Sequence, residues 1–125
     1  MTMQPFPRTG IRVSSGRVNI AAAATPTLVH TIPAGRTAII RKIIWSEMAG
    51  LAGDLQIGHG AGAAWVQDMP NIDAPANMLG TLEQGEIPAV EFRPHTAGLT
   101  DQQIYARTTA STNLDIQVEV EELGA

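Results

Sequence analysis

Thr27-Leu28-Val29-His30-Thr31-Ile32-Pro33-Ala34-Gly35-Arg36-Thr37-Ala38-Ile39-Ile40-Arg41-Lys42-Ile43-Ile44-Trp45 is two runs of β-favouring residues around a Pro-Ala-Gly turn. β-Branched and aromatic side chains pack well on a pleated surface, so each run reads as a strand. Pro33 presets its φ and Gly35 accepts a positive φ without steric penalty, which makes the junction a hairpin or a tight corner. In the second run, strict alternation puts Ile39, Arg41, Ile43 and Trp45 on one face and Ala38, Ile40, Lys42 and Ile44 on the other. Both faces are then mostly apolar. A sandwich strand needs one apolar face, so the second is covered by a loop, by the N-terminal residues or by another subunit.

Nearer the C-terminus, Leu114, Ile116, Val118 and Val120 alternate with Asp115, Gln117, Glu119 and Glu121, the pattern of a strand half in a core and half in water. Shorter runs at 55–57, 65–67, 90–92 and 104–108 are separated by turns rich in Gly, Pro, Asn and Asp. Seven or eight such strands predict an all-β chain, a single β-sandwich of jelly-roll-like form. Pro26, Pro33, Pro70, Pro75, Pro88 and Pro94 interrupt most helical windows, the best of which is 73–82. Residues 67–80, with Met69, Ile72, Met78 and Leu79, read as a long loop that closes one end of the sandwich or offers a partner an adaptable surface.

Residues 1–24 differ in character from the remainder of the chain. Pro5 and Pro7 frame Phe6, and the pieces Ile11-Arg12-Val13 and Val18-Asn19-Ile20 lead into four alanines, Ala21 to Ala24. They read as an extended N-terminal arm ahead of a sandwich domain at 25–125. Such an arm pairs with the domain's own sheet as an edge strand or reaches a neighbouring subunit, and the sequence leaves both open. The 125 residues suit one domain with one core. Leu, Ile, Val and Phe supply 29 of them, above the roughly 20% below which charged chains stay disordered.

Several function classes find no support. A net charge of −4 with eight scattered Lys and Arg residues gives no field to attract nucleic acid. With no cysteine there is no disulfide, thiol nucleophile or cysteine zinc site. The N-terminal residues lack the charge and apolar run of a secretion signal, and no apolar stretch approaches the roughly 18 residues of a membrane span. The expectation is a protein made and used in an aqueous space. His30, His59 and His95 stand far apart, in no spacing that would put two imidazoles on one metal.

Gly58-His59-Gly60-Ala61-Gly62-Ala63 fits a dinucleotide-type Gly-x-Gly-x-x-Ala pattern only formally, because a strand rather than a helix comes after it. A flexible inter-strand loop is the better reading. Asp68-Met69-Pro70-Asn71-Ile72-Asp73 gathers oxygen ligands but lacks the central Gly and distal Glu of a Ca²⁺ loop, and turn formation explains it. Ser14, Ser15, Ser46 and Ser111 sit in no nucleophile-elbow context. No catalytic, cofactor-binding or metal-ligating residue is assigned, and the expectation is a protein that is not an enzyme.

The stretch 27–44 resembles a pattern met in small structural proteins of tailed bacteriophages, where a strand ending in Val or Ile, then Pro-Ala-Gly, Lys or Arg and Thr opens a long apolar sandwich strand. Leu82-Glu83-Gln84-Gly85-Glu86-Ile87 and the alternating run 114–120 also look like that layout. The resemblance implies a capsid decoration, or cement, protein: a homotrimer of jelly-roll subunits that bridges major capsid proteins, assembled in the host cytoplasm and located in the virion. Under that reading Phe6, Arg8, Ile11 and Arg12 of the arm contact the shell, and Ile40, Ile44 and Met78 contact neighbouring subunits. A first rival is a carbohydrate- or receptor-binding module stacking sugars on Trp45, Trp65 and Tyr105, although aromatics are only 4% of the chain. A second is a small jelly-roll isomerase using His59 and Tyr105.

Overall fold

The computed structural model describes residues 10–33, 35–87, 91–92 and 103–124. Among these, eleven strands run in chain order: β1 (Ile11–Ser14), β2 (Val18–Ile20), β3 (Thr27–Thr31), β4 (Thr37–Glu47), β5 (Gly53–His59), β6 (Val66–Gln67), β7 (Ile72–Ala74), β8 (Leu79–Leu82), β9 (Glu91–Phe92), β10 (Gln103–Thr108) and β11 (Leu114–Leu123). They form two antiparallel sheets. In the first, β11 and β4 lie at the centre, with β1 and β2 along the free edge of β11 and β8 and β9 along that of β4. In the second the order is β3, β10, β5, with β6 and β7 both along β5.

The pairs are nested: β1 and β2 with β11, β3 with β10, β4 with β8 and β9, β5 with β6 and β7. This is a chain doubled back on itself and then rolled, the jelly-roll form of a β-sandwich. The described part of the N-terminal segment belongs to it, because Ile11 to Ser14 and Val18 to Ile20 both pair with β11. Segment 67–80, expected as one long loop, contains the end of β6, all of β7 and the start of β8.

The Pro-Ala-Gly junction is the corner at which the chain passes from one sheet to the other. Gly35 has φ +78° and the Arg36 amide donates to the Pro33 carbonyl at 3.1 Å. β3 and β4 are not paired with each other, so the hairpin alternative is set aside.

The apparent double apolar face of β4 has a different explanation. Lys42 pairs with Glu119 and Ile40 with Val120, so Arg41 is one extra residue in the ladder. Such a bulge reverses which way the side chains beyond it point. Ala38 and Ile40 face inward before it, and Ile43, Trp45 and Glu47 face inward after it. The sequence reading that put Ile43 and Trp45 opposite Ala38 and Ile40 is corrected by this single insertion. The interior is completed by Leu114, Ile116, Val118 and Val120 of β11, Leu55 and Ile57 of β5, Ile104 and Ala106 of β10, and Ile20, Val29 and Phe92.

Gly80 lies opposite Trp45, and the indole rests where a Gly80 side chain would be. Forcing a methyl group into filled space costs about 1–3 kcal/mol. Gly80→Ala is therefore expected to lower stability by that amount in urea unfolding. Gly85→Ala, where no atom lies within 4 Å of the added carbon, should leave it nearly unchanged.

Candidate functional site

Glu47 ends β4 in the inward register and is 2% exposed. A buried carboxylate needs donors, and here the backbone supplies them. Oε1 accepts from the amides of Ala49 at 2.8 Å and Leu51 at 3.4 Å and from the Ser111 hydroxyl at 2.7 Å. Oε2 accepts from the amides of Gly50 at 3.0 Å and Asn77 at 2.7 Å. One side chain thus joins the β4–β5, β7–β8 and β10–β11 connections. The Asn77 amide is the largest influence in bringing the carboxyl pKa down to about 2 from 4.5, helped by Ser111, Ala49 and Leu51 against the opposing effect of burial.

The connections that Glu47 holds carry apolar side chains into solvent. Met48 and Leu51 come after β4, Met78 precedes β8 and Leu79 begins it, with exposures of 43%, 44%, 52% and 72%. Met48, Leu79 and Ile44 line a shallow hollow of about 160 Å³ on the outer face of the first sheet, with Arg17 and Asp115 at its border. Elsewhere that face carries ionic and polar pairs, Arg41 with Glu121 at 2.7 Å, Lys42 with Glu83 at 3.6 Å and Arg12 with Gln84 at 3.3 Å.

At the opposite end, Glu122 is 3% exposed and meets His30 at 3.1 Å and Arg36 at 3.5 Å. His59 meets Asp68 at 2.7 Å through Nδ1. His30 and His59 flank Ile104 from either side. Among the described residues no three His, Asp or Glu side chains converge as a metal site would require.

The outer face of the second sheet carries a polar chain. Arg107 stacks on Trp65 at 4.9 Å and donates to Gln56 at 2.7 Å, and Gln56 and Gln67 both donate to Asn71, at 3.1 and 2.7 Å. Gly58 and Gly60 allow the segment 64–67 to pass directly against them, since an added Cβ at either would strike the Val66 or Ala64 carbonyl. These two glycines therefore serve close backbone approach.

The sequence-derived candidates fall in different places. Phe6, Arg8 and His95 lie outside the described residues. Ile11, 53% exposed, and Arg12 stand on β1 at the sheet edge. Ile44 lies at the hollow and Met78 in the β7–β8 connection, whereas Ile40 is in the core at 3% exposure. His59 and Tyr105 are not brought together, because Tyr105 pairs with Gly58 and alternation puts the two side chains on opposite faces. Trp45 is 7% exposed and makes no surface platform.

Met48 and Glu47 were missed. The signal for Glu47 was its phase, since it shares the inward register of Trp45 and precedes an Ala-Gly turn. No known protein family matches the chain, and no curated protein is significantly similar to it.

A group whose folded pKa is depressed contributes stability above its unfolded value and loses it as pH falls through the folded value. For Glu47 that window runs from 4.5 down to about 2. Glu47→Gln should lower the urea midpoint at pH 7. The difference from the unaltered protein should shrink across that window when midpoints are compared pH by pH.

Proposed function

We propose that the protein is a structural subunit that works by assembly, associating with copies of itself as a homotrimer and with a larger shell. The observation that carries this reading is the apolar surface at the Glu47 end: Met48, Leu51 and Met78 exposed on connections held by one buried carboxylate, and Leu79 exposed at the start of β8 beside them. An exposed apolar patch is a docking surface when its backbone is already ordered, since binding then loses little conformational freedom. Burying one Leu side chain is worth about 1.5–3 kcal/mol, and a closed ring repeats that contact at every interface.

The finer reading is a capsid decoration subunit of a tailed bacteriophage, with the major capsid protein as second partner and the virion as its location. It is supported by the resemblance of residues 27–44 and by Ile11 and Arg12, exposed on β1 at the edge of the first sheet. Ile44 and Met78 remain as subunit contacts, joined by Met48 and Leu79.

Light scattering on the full chain should give the mass of a trimer, and Leu79→Glu should give the mass of one chain with an unchanged far-ultraviolet spectrum. A chain lacking residues 1–9 should stay trimeric. A single-chain mass for the unaltered protein would overturn the self-association reading.

A further inference from the structure

A ring of three copies joins unlike surfaces, because rotation about a threefold axis brings one patch of a subunit against a different patch of the next. The apolar surface at the Glu47 end supplies one patch. Among the described residues, the exposed large apolar side chains outside it are Ile11, Leu28 and Val66. Ile72 of β7 and Leu82 of β8 line one cleft, so β6, β7 and β8 share one side of the sandwich and Val66 is on the same side as Leu79. Ile11 pairs with Glu122, at the far end of the sandwich from Glu47. Leu28 belongs to β3, which runs along the side opposite β8 and packs near β11. Its partner across the ladder is Tyr105, which lies between the buried Ile104 and Ala106 and so faces outward. Directly opposed side chains have Cβ atoms about 5 Å apart, so Leu28 and Tyr105 form one small apolar patch on the outer face of the second sheet.

We propose, on the trimer reading above, that Leu28 and Tyr105 of each copy receive Leu79 of the next, together with Met48 and Met78 beside it. Patches on opposite sides of one subunit suit a closed ring, in which each copy gives one side to the copy before it and the other side to the copy after it. The chemistry of the two patches is complementary. A tyrosine ring is a rigid apolar surface of the kind found in interface cores, and the flexible Met side chains adapt to it. The Tyr105 hydroxyl already donates to Gln103 at 3.3 Å, so covering the ring strands no polar group. Contact is made by side chains on a face, and the free backbone edge of β3 takes no part in it.

Light scattering on full-length variants tests this. Leu28→Glu is expected to give the mass of one chain with an unchanged far-ultraviolet spectrum, and Val66→Glu to keep the mass of the trimer. The chain has no cysteine, so introduced thiols can be joined without background. Leu28→Cys combined with Leu79→Cys, treated with a short bismaleimide, is expected to run as three linked chains in denaturing electrophoresis. Each single cysteine variant is expected to run as one chain. A trimer that survives Leu28→Glu, loss of the trimer in Val66→Glu, or linkage in Leu79→Cys alone would each overturn the pairing of these patches while leaving self-association in place. A single-chain mass for the unaltered protein would overturn the trimer reading and this pairing with it.

Discussion

One inserted residue, Arg41, sets the orientation of half the molecule. β4 runs beside β11 from Thr37 to Glu47, and side chains alternate strictly on either side of the insertion. Without it, Ala38 and Ile40 would point to the opposite side from Ile43, Trp45 and Glu47, and one group would lose its place in the core. With it, all five point inward. The Arg41 side chain bonds Glu121 on the outer face through both Nε and a terminal nitrogen, at 2.9 and 2.7 Å. Trp45 packs against Gly80, Glu47 reaches the connecting loops and Ile44 faces outward, all as consequences of this change of phase.

The ends of the central strand pair are closed by different chemistry. β4 and β11 are antiparallel, so the Glu near the end of each, Glu47 and Glu122, lies at opposite ends of the sandwich. Both carboxylates are nearly inaccessible to water. Glu47 is surrounded by backbone N–H groups and one hydroxyl, which fixes three connections in place. Glu122 is met by His30 from β3 and Arg36 from the corner, which ties the second sheet and the corner to the first.

Much of the fold was legible in the sequence because it depends on alternation and turn chemistry. The run 114–120 shows its inner and outer faces directly, and Pro33 with Gly35 marks the corner. The bulge was not legible. A run such as Ala-Ile-Ile-Arg-Lys-Ile-Ile-Trp is compatible with either phase, and the pairing that selects one comes from β11, about eighty residues away. β7 escaped for another reason: a three-residue strand has too few positions to show a period. Of the candidate surface, Ile44, Met78 and Leu79 could be named from the sequence. Their grouping with Met48 depends on Glu47 drawing distant loops together, which no local pattern records.

The edges of the sandwich limit the ways in which copies can meet. Among the described residues, three of its four edges are divided into pairs of short strands, β1 with β2, β8 with β9 and β6 with β7; β3 alone is one piece, five residues long. Short, interrupted edges are poor templates for adding a strand from another chain. Open-ended stacking of sheet on sheet is thereby discouraged. Contact between copies is directed to side chains on the faces and end loops, where geometry can limit growth to a closed, countable number of subunits.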